Sequence, residues 1–312
     1  MMQWVFSQHL VQMFYKNGAA PAKLTVRLNS QPDENETVTI TLSGVSLNTD
    51  YEVAGGNLQL SFDDTNWNSQ DEDFGFYSIE IVDDSLLEGQ EDFTITLTAE
   101  SNLESSPFNN QTAQVTLTIT DNEEAGVILL SASDEVLEGD ATQFDISEDG
   151  TTASFKLRLA SQPSDEVTLS FTDNPAGIGT EYNIEIDDIL LVGNSITFQP
   201  AEWNTPRVVK LVAIDDSLVE DVETFTLTMT ADGGGFQNVS RSVIVSITSE
   251  DTAGIQINNK PDFIDLDESD TAATVSVSVQ LTSPPAADET VTLSVAPPSD
   301  DFSTTQVVFT AD

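Results

Sequence analysis

IDDSLVEDVETFTLTMTA (residues 214–231) and VDDSLLEGQEDFTITLTA (residues 82–99) are two copies of one pattern, in which a group of acids precedes a predicted strand. Each copy opens with two aspartates, places glutamates four and seven residues after the second one, and continues into a strand where apolar residues alternate with threonine. A period of two predicts a β-strand with one buried face, formed in the second copy by Phe225, Leu227 and Met229. A cluster of carboxylates is therefore attached to each predicted core strand.

Other blocks recur around this acid stretch in a fixed order. A strand, a Ser-x-Pro turn, an acid and a second strand occur three times, with the turns beginning at Ser30, Ser161 and Ser283. Blocks repeated in one order at intervals of about 125 to 135 residues indicate tandem domains. The predicted units are an atypical N-terminal segment, a first repeat without a clear opening strand, a complete second repeat and a truncated third repeat: 1–20, 21–124, 125–251 and 252–312.

The second repeat contains seven short predicted strands separated by turn residues. They lie at 126–130, 153–159, 166–172, 195–198, 207–214, 223–231 and 241–249. This pattern is typical of a two-sheet antiparallel sandwich. We therefore predict an all-β fold of tandem immunoglobulin-like antiparallel β-sandwiches, with the apolar face of 153–159 opposite that of 223–231 across the core. Trp67 and Trp203 are expected to close the rims of their sandwiches.

The composition excludes several classes of function. Asp and Glu number 54 against 9 Lys and Arg, which gives a net charge of −45 and excludes sequence-independent binding to nucleic acid phosphates. The absence of cysteine excludes disulfides and thiolate metal sites, and the single histidine, His9, leaves the repeats without an imidazole for a catalytic triad. No segment has an apolar run long enough to span a membrane, so we predict no membrane insertion.

Carboxylate oxygens are the ligands that the chain offers in quantity, and calcium takes six to eight of them. Two carboxylates 4 Å apart repel by about 4 kcal/mol at an effective dielectric of 20, so acids gathered at one pole of a sandwich favour a bound cation. Further acids recur before an aromatic residue, at Asp50, Glu181 and Asp301. We therefore predict Ca²⁺ sites. The alternative is that the acids only keep the protein soluble, as in proteins adapted to high salt.

The ordered motifs resemble the Calx-beta domain of sodium/calcium exchangers, an integrin β subunit and large bacterial surface proteins. The resemblance rests on Glu-Gly-Asp after the first strand, acid-Tyr, Asp-Asp-x-x-x-Glu-x-x-Glu-x-Phe and an acid run before Ala-Gly. It implies calcium at one pole of each sandwich, with junction acids linking adjacent domains. The ligands implied in the second repeat are Glu138, Glu181, Asp215, Asp216, Glu220, Glu223, Glu250 and Asp251. Those implied elsewhere are Asp50, Asp83, Asp84, Glu88, Glu91, Asp121, Glu123, Glu268 and Asp301.

Two residues depart from the pattern of this family. Glu181 stands before tyrosine where the family usually has aspartate, and the longer side chain can displace a ligand by about one methylene. Ser249 stands where an acid is common, which lowers the charge of the closing run. The first repeat lacks a visible opening glutamate, and the third lacks the main acid stretch. We therefore expect the second repeat to have the most complete site.

The leading functional hypothesis is a calcium-stiffened structural or adhesive segment of a large extracellular, bacterial surface protein. Its predicted partners are calcium ions, neighbouring repeats and a cell-surface or matrix ligand. One alternative is a calcium-sensing regulatory domain of a membrane transporter, and another is a non-catalytic module of a secreted hydrolase. A catalytic carboxylate pair is normally unique to one domain, whereas these acids recur in successive repeats, so we predict no enzymatic activity.

Overall fold

The computed structural model describes residues 13–15, 22–44, 50–69, 74–139, 142–259, 276–285, 288–294 and 306–310. These residues form β-strands, turns and two short 3₁₀ helices, Ala54–Gly56 and Pro200–Glu202. The predicted all-β fold of tandem immunoglobulin-like sandwiches is confirmed. Within these ranges, no helix has the length and apolar character needed to cross a membrane.

The first repeat is built from two sheets of unequal size. Its strands are β1 (Met13–Tyr15), β2 (Ala22–Thr25), β3 (Val38–Ser43), β4 (Tyr51–Val53), β5 (Gln59–Phe62), β6 (Phe76–Ile81), β7 (Gln90–Ser101) and β8 (Gln111–Thr120). One sheet has the strand order β1-β8-β7-β3-β5, and the other has the order β2-β6-β4. A single buried cluster contains residues of both sheets, such as Ile40 and Tyr77, so the two sheets share one core.

The second repeat is the more complete sandwich. Its strands are β9 (Val127–Leu130), β10 (Gln143–Ser147), β11 (Ala153–Leu159), β12 (Val167–Asn174), β13 (Tyr182–Ile186), β14 (Ile189–Leu190), β15 (Ser195–Phe198), β16 (Arg207–Ala213), β17 (Glu223–Gly233) and β18 (Phe236–Thr248). They form two five-stranded sheets, with orders β10-β18-β17-β12-β15 and β14-β13-β16-β11-β9.

The core of the second repeat follows from the alternation in the sequence. Phe225, Leu227 and Met229 on β17 are buried, while Thr226 between them is exposed. The apolar face of β11 lies in the other sheet and belongs to the same buried cluster, which confirms the predicted opposition across the core. Each fully buried Leu or Phe side chain contributes about 1.5 to 3 kcal/mol of transfer free energy, so these two strands anchor the sandwich.

The tryptophans lie where the sequence places them, against the cores of their own repeats. Trp203 packs beside the second core and Trp67 beside the first. Each also accepts a backbone hydrogen bond on its carbonyl, from Leu159 N–H at 3.0 Å and from Leu28 N–H at 3.2 Å. The equivalent bonds in the two repeats show that each tryptophan holds the residue two positions before the serine of a Ser-x-Pro turn.

Three strands of the second repeat are absent from the sequence prediction: β10, β13 and β14. Strand β10 lies at a sheet edge and runs parallel to β18, with Gln143 opposite Ile244 and Ser147 opposite Thr248. The first repeat has an equivalent pairing, because β1 runs parallel to β8 with Met13 opposite Thr118. Part of the atypical N-terminal segment therefore contributes an edge strand to the first sandwich.

The described part of the third repeat contains two antiparallel strand pairs. They are β19 (Ile255–Asn258) with β20 (Ser278–Leu281), and β21 (Thr290–Ser294) with β22 (Gln306–Thr310). Ser283, in the Ser-x-Pro turn after β20, is buried like Ser161 in the second repeat. The start of the third repeat thus reproduces the local structure of the second.

Candidate metal centre

The two copies of the acid stretch lie in equivalent loops of the two sandwiches. Asp84 and Glu88 lie between β6 and β7, and Asp216 and Glu220 lie between β16 and β17. In each loop the second aspartate of the pair folds back on the chain: Asp84 Oδ1 accepts a hydrogen bond from the amide of Leu86 at 2.8 Å, and Asp216 Oδ1 accepts one from the amide of Leu218 at 2.6 Å. The repeated sequence therefore gives the same local turn twice.

The pole of the second repeat brings together Glu148, Asp216 and Asp251. One carboxylate oxygen from each lies within 4.8 Å of the others. Glu148 follows β10, and its amide donates to the carbonyl of Thr248 at 3.2 Å, which extends the parallel pairing by one residue. Asp251 follows β18, so two adjacent strands deliver these two acids to the loop that carries Asp216.

A second group at the same pole comprises Glu181, Glu220 and Glu223, again with ligand atoms within 4.8 Å of one another. The loop before Glu181 is held by Asp173, whose Oδ2 accepts hydrogen bonds from the amides of Gly177 and Ile178 at 2.8 Å and from the hydroxyl of the buried Tyr182 at 3.0 Å.

The carbonyl of Gly177 then accepts the amide of Glu181 at 2.8 Å, which fixes the start of β13. A hydrogen bond from the amide of Ile214 to the carbonyl of Glu181 at 2.9 Å joins this strand to the acid loop. The glutamate that departs from the family pattern is thereby positioned beside Glu220 and Glu223.

The first repeat has a corresponding group formed by Asp50, Asp84 and Glu88. The carbonyl of Asp50 accepts the amide of Val82 at 2.8 Å, which is the bond that Glu181 makes in the second repeat. Asp121, which follows β8, accepts hydrogen bonds on Oδ2 from the amides of Glu88 and Gly89 at 3.0 and 3.4 Å. These bonds hold the acid loop against the end of β8. In the second repeat Ser249 takes over this anchoring, because its hydroxyl donates to the carbonyl of Leu218 at 3.1 Å.

Mutual repulsion of the acids changes their proton affinity. Burial raises the pKa of Glu220, and the charges of Glu223, Asp216, Glu181 and Glu148 raise it further. Because these charges come from both groups of the second repeat, the two groups form one continuous acid pole.

The same two causes act at other acids. Burial and the charges of Asp216, Glu250 and Asp251 raise the pKa of Glu148. In the first repeat burial, a hydrogen bond with Asp121 and the charges of Asp121 and Asp83 raise the pKa of Glu123 to about 7. In both repeats, therefore, the closing acids lie close to the acid loop.

The buried oxygens of the second pole match the requirements of a hard cation. Glu148 is only 8% exposed, and its Oε2, like Oδ2 of Asp251, is buried without a hydrogen-bond partner among the described residues. A buried carboxylate oxygen without a partner costs free energy that a bound cation removes. The group offers oxygen ligands only, which suits calcium and not the metals that prefer imidazole or thiolate. The residues present therefore fit calcium.

Several predicted ligands lie outside the three compact groups. Asp215, Glu250 and Asp83 are exposed at the poles, and the last two act on the pKa of neighbouring acids. Glu91 lies on β7 opposite Ile119. Glu268 and Asp301 lie outside the residues that the structure describes.

Glu138 lies away from the acid pole, alongside the middle of the sandwich. The carbonyls of its neighbours Leu137 and Gly139 accept hydrogen bonds from Arg241 Nη2 at 2.8 and 3.1 Å, and Arg241 is paired with Met229. The pole lies at Glu223, six residues from Met229 along β17, which corresponds to about 20 Å of strand. The structure thus places Glu148, ten residues after Glu138, beside Asp216.

The sequence contains a signal that identifies Glu148. In the third repeat, Glu268, the predicted counterpart of Glu138, stands 15 residues before the serine of the Ser-x-Pro turn, Ser283 (283 − 268). In the second repeat the corresponding serine is Ser161. Glu148 stands 13 residues before it (161 − 148), whereas Glu138 stands 23 residues before it (161 − 138). Counting from the Ser-x-Pro turn therefore favours Glu148. The Glu-Gly-Asp motif at 138–140 obscured this alignment.

The fold and the acid poles together define a tandem β-sandwich protein with candidate cation sites at the ends of its domains. A family model, that of the Calx-beta domain, matches residues 5–123 and 133–261. These matches cover more than half of the sequence, so the chain belongs to the Calx-beta family, as the motifs indicate. Calx-beta domains are calcium-binding modules without catalytic function.

Three solved structures match the chain with TM-scores below 0.4. The CfaE adhesin mutant of enterotoxigenic E. coli has a TM-score of 0.37 at 9% identity, covering 75% of this chain and 81% of that chain. CBD12 from CALX1.2 has a TM-score of 0.28 at 14% identity, with coverages of 78% and 100%. The protocadherin gammaB7 EC3-6 structure has a TM-score of 0.34 at 15% identity, with coverages of 99% and 68%. No curated protein matches the chain. The family assignment rests on the sequence match.

Proposed function

We propose that this chain is a calcium-binding structural segment of a large extracellular surface protein, in which calcium stiffens the poles and junctions of successive sandwiches. The proposal includes the domain boundaries at 124/125 and 251/252 and the ligand roles of the acids at each pole. The observation that carries it is the group of Glu148, Asp216 and Asp251, in which two of the three acids have a buried carboxylate oxygen without a hydrogen-bond partner among the described residues.

The position of the acids supports a role at the junctions. Glu123 is the last residue but one before the predicted first boundary, and Asp251 is the last residue before the predicted second boundary. The hydroxyl of Ser161 donates to the carbonyl of Glu124 at 3.0 Å, which attaches the turn of the second repeat to this boundary. A cation that draws the closing acids toward the acid loop would therefore restrict the boundary as well.

The surface location and adhesive role fit the composition. A chain without cysteine needs no redox control, and extracellular calcium at millimolar levels fills sites with dissociation constants of about 10⁻⁴ to 10⁻³ M. A strongly acidic rod of sandwiches would supply reach and rigidity, with a cell-surface or matrix ligand recognised elsewhere.

Thermal unfolding of the full chain tests the calcium proposal. At about 5 mM calcium, a site with a dissociation constant in the above range stabilises the folded state by about 1 to 2 kcal/mol relative to EDTA. We expect the unfolding midpoint to rise by several degrees with calcium, and much less with magnesium or with sodium chloride at equal ionic strength.

A double variant, Asp216→Asn with Glu148→Gln, should abolish the calcium-dependent gain of the second repeat. Glu135→Gln with Glu138→Gln is the matched control, because it also removes two negative charges from the same repeat, but from the loop that precedes β10. An equal gain from sodium chloride, or a full gain in the variant with Asp216→Asn and Glu148→Gln, would show that the acids are a general adaptation of charge and would end the proposal.

A further inference from the structure

The acid loop of the first repeat touches the second repeat through residues that belong to no acid group. Leu86 forms a parallel bridge with Gln162, the central residue of the Ser161–Pro163 turn. The amide of Leu87 donates to the carbonyl of Gln162 at 2.8 Å, and the amide of Gln162 donates to the carbonyl of Ser85 at 2.8 Å. Two backbone hydrogen bonds therefore join the repeats directly.

The side chain of Leu87 completes this contact. It is partly buried and packs against the hydrophobic core of the second repeat, although it belongs to the first. It reaches that core beside Gly235, where an added Cβ would lie 3.0 Å from Leu87 Cδ2. Gly235 also has φ of +96°, a conformation that other residues rarely adopt. The glycine-rich turn between β17 and β18 thus leaves room for a leucine of the preceding repeat.

The second junction repeats part of this arrangement. The hydroxyl of Ser283 donates to the carbonyl of Thr252 at 3.4 Å, as that of Ser161 does to Glu124. The amide of Thr282 donates to Gly254 at 3.0 Å, as that of Ala160 does to Gly126. The Ser-x-Pro turns of the second and third repeats are therefore attached in the same way to the boundary that precedes each repeat.

The two junctions differ at the residue that forms the bridge. Pro284 stands in the turn where the second repeat has Gln162, and proline has no amide hydrogen to donate. Leu218 and Val219, which match Leu86 and Leu87, are 37% and 48% exposed. Among the described residues around this junction, no backbone hydrogen bond joins residues 217–219 to Pro284.

We propose that the Ser161–Pro163 turn and Gly235 form a docking surface for Ser85–Leu87 of the preceding repeat, which closes the first junction without a cation, and that Pro284 leaves the second junction open to bending. This goes beyond the calcium proposal, because the two backbone hydrogen bonds and the leucine contact involve no carboxylate. The Ser-x-Pro turn, whose middle residue varies between repeats, then sets the stiffness of each junction.

Distance measurements between spin labels test this inference, and the absence of native cysteine makes labelling specific. In the full chain, Thr94→Cys with Thr168→Cys spans the first junction, and Thr226→Cys with Thr292→Cys spans the second. All four threonines are exposed on strands. In EDTA we expect a narrower distance distribution for the first pair than for the second. Equal widths in EDTA would overturn the inference.

Exchanging the bridging residues gives the sharper test. Gln162→Pro gives the first junction the turn sequence of the second and should broaden the first distribution while leaving the second unchanged. Pro284→Gln restores a backbone N–H donor to the turn of the third repeat and should narrow the distance distribution across the second junction. Gln31→Pro is the matched control, because Gln31 is the middle residue of the first Ser-x-Pro turn and uses its side chain, donating to Asp64 at 2.9 Å. Broadening by Gln31→Pro equal to that by Gln162→Pro would contradict the docking role.

Hydrogen exchange supplies a readout that does not depend on substituting the turn. In the unlabelled chain in EDTA, the amide of Leu87 should be protected and that of Val219 should exchange roughly tenfold faster or more. The amide of Leu87 donates to the carbonyl of Gln162, whereas the amide of Val219 donates no backbone hydrogen bond within the part of the chain that the structure describes. In Leu87→Ser, loss of the apolar contact should broaden the first distance distribution without altering the turn. Similar exchange at both amides would refute the inference. A failure of calcium to stabilise the chain would end the calcium proposal and leave these comparisons in EDTA unaffected.

Discussion

Glu148 is the acid on which its group with Asp216 and Asp251 depends most. It is the most buried member of the group, and the charges of Asp216, Glu250 and Asp251 all act on it. Its position is set by the parallel pairing of β10 with β18, and not by its own loop. A ligand held by a strand has little freedom to move away, so its repulsion from the other acids remains until a cation binds.

Calcium affinity should therefore depend on Glu148 and not on Glu138. We expect Glu148→Gln to weaken calcium binding to the second repeat by about tenfold or more, because losing one charged ligand amounts to at least about 1.4 kcal/mol. Glu138→Gln should leave the affinity within about twofold of the parent chain, because the residue lies about 20 Å from the pole. Isothermal titration calorimetry measures both, and equal losses would contradict the placement of the site.

The proton affinity of Glu123 predicts an unusual pH dependence. Burial, the hydrogen bond with Asp121 and the charges of Asp121 and Asp83 raise its pKa to about 7, whereas an unfolded glutamate titrates near about 4.3. Between these values the folded chain binds more protons than the unfolded chain, so stability falls as the pH rises through that window.

In EDTA we expect the unfolding midpoint to rise when the pH is lowered from about 8 to about 5.5. With calcium the trend should weaken or reverse, because protons compete with the cation for the same oxygens. The variant Glu123→Gln should show a smaller rise in EDTA than the parent chain. A midpoint in EDTA that falls on acidification would contradict the folded-state protonation of this pole.

At the scale of the elements, the loop between β12 and β13 connects the core to the acid pole. Gly177 sits against the ring of Phe225, where an added Cβ would lie 2.5 Å from a ring carbon. The same glycine accepts the amide of Glu181, a ligand candidate, and Phe225 is a core residue of β17. The close approach of Gly177 to Phe225 therefore links the packing of the core to the position of Glu181.

Gly177→Ala should destabilise the second repeat by about 1 to 3 kcal/mol, the usual cost of overpacking, and should also weaken calcium binding by displacing Glu181. In a Phe225→Leu background the added methyl has more room, so the further cost of Gly177→Ala should be smaller. Chemical denaturation of the four chains of this double-mutant cycle measures the coupling. Strictly additive costs would show that the contact does not limit the site.

At the scale of the whole molecule, the net charge of −45 makes stability depend on ions in two distinct ways. Sodium chloride screens repulsion generally, since the Debye length falls from about 10 Å at 0.1 M to about 3 Å at 1 M. Calcium at a site acts by mass action and saturates.

In EDTA we expect the unfolding midpoint to rise gradually with sodium chloride up to 1 M, without a plateau near millimolar concentrations. Calcium should produce most of its effect below about 5 mM, and its addition at 1 M sodium chloride should still raise the midpoint. Full loss of the calcium effect in high salt would assign the stabilisation to screening alone.

The class of fold, most of the strands and the identity of the acid loops follow from the amino-acid sequence. Period-two alternation fixes which face of a strand is buried, and the repeated motifs fix which residues are equivalent, so β11, β15 and β17 begin at the predicted residues. Strands β10, β13 and β14 are absent from the prediction because they are only two to five residues long, and because β10 and β13 carry Asp, Asn or Glu, which are depleted in strands.

Which acids meet at the pole depends on the pairing of distant strands. Asp216, Glu148 and Asp251 are 35 to 103 residues apart in the chain (251 − 216 and 251 − 148), and they converge because β10 pairs in parallel with β18 at the sheet edge. The register of that pairing separates Glu148 from Glu138, and the same kind of nonlocal contact places Leu87 on the core of the next repeat. Local patterns specify faces and turns, whereas strand pairing over long separations depends on the free energy of the assembled core and cannot be read from a single segment.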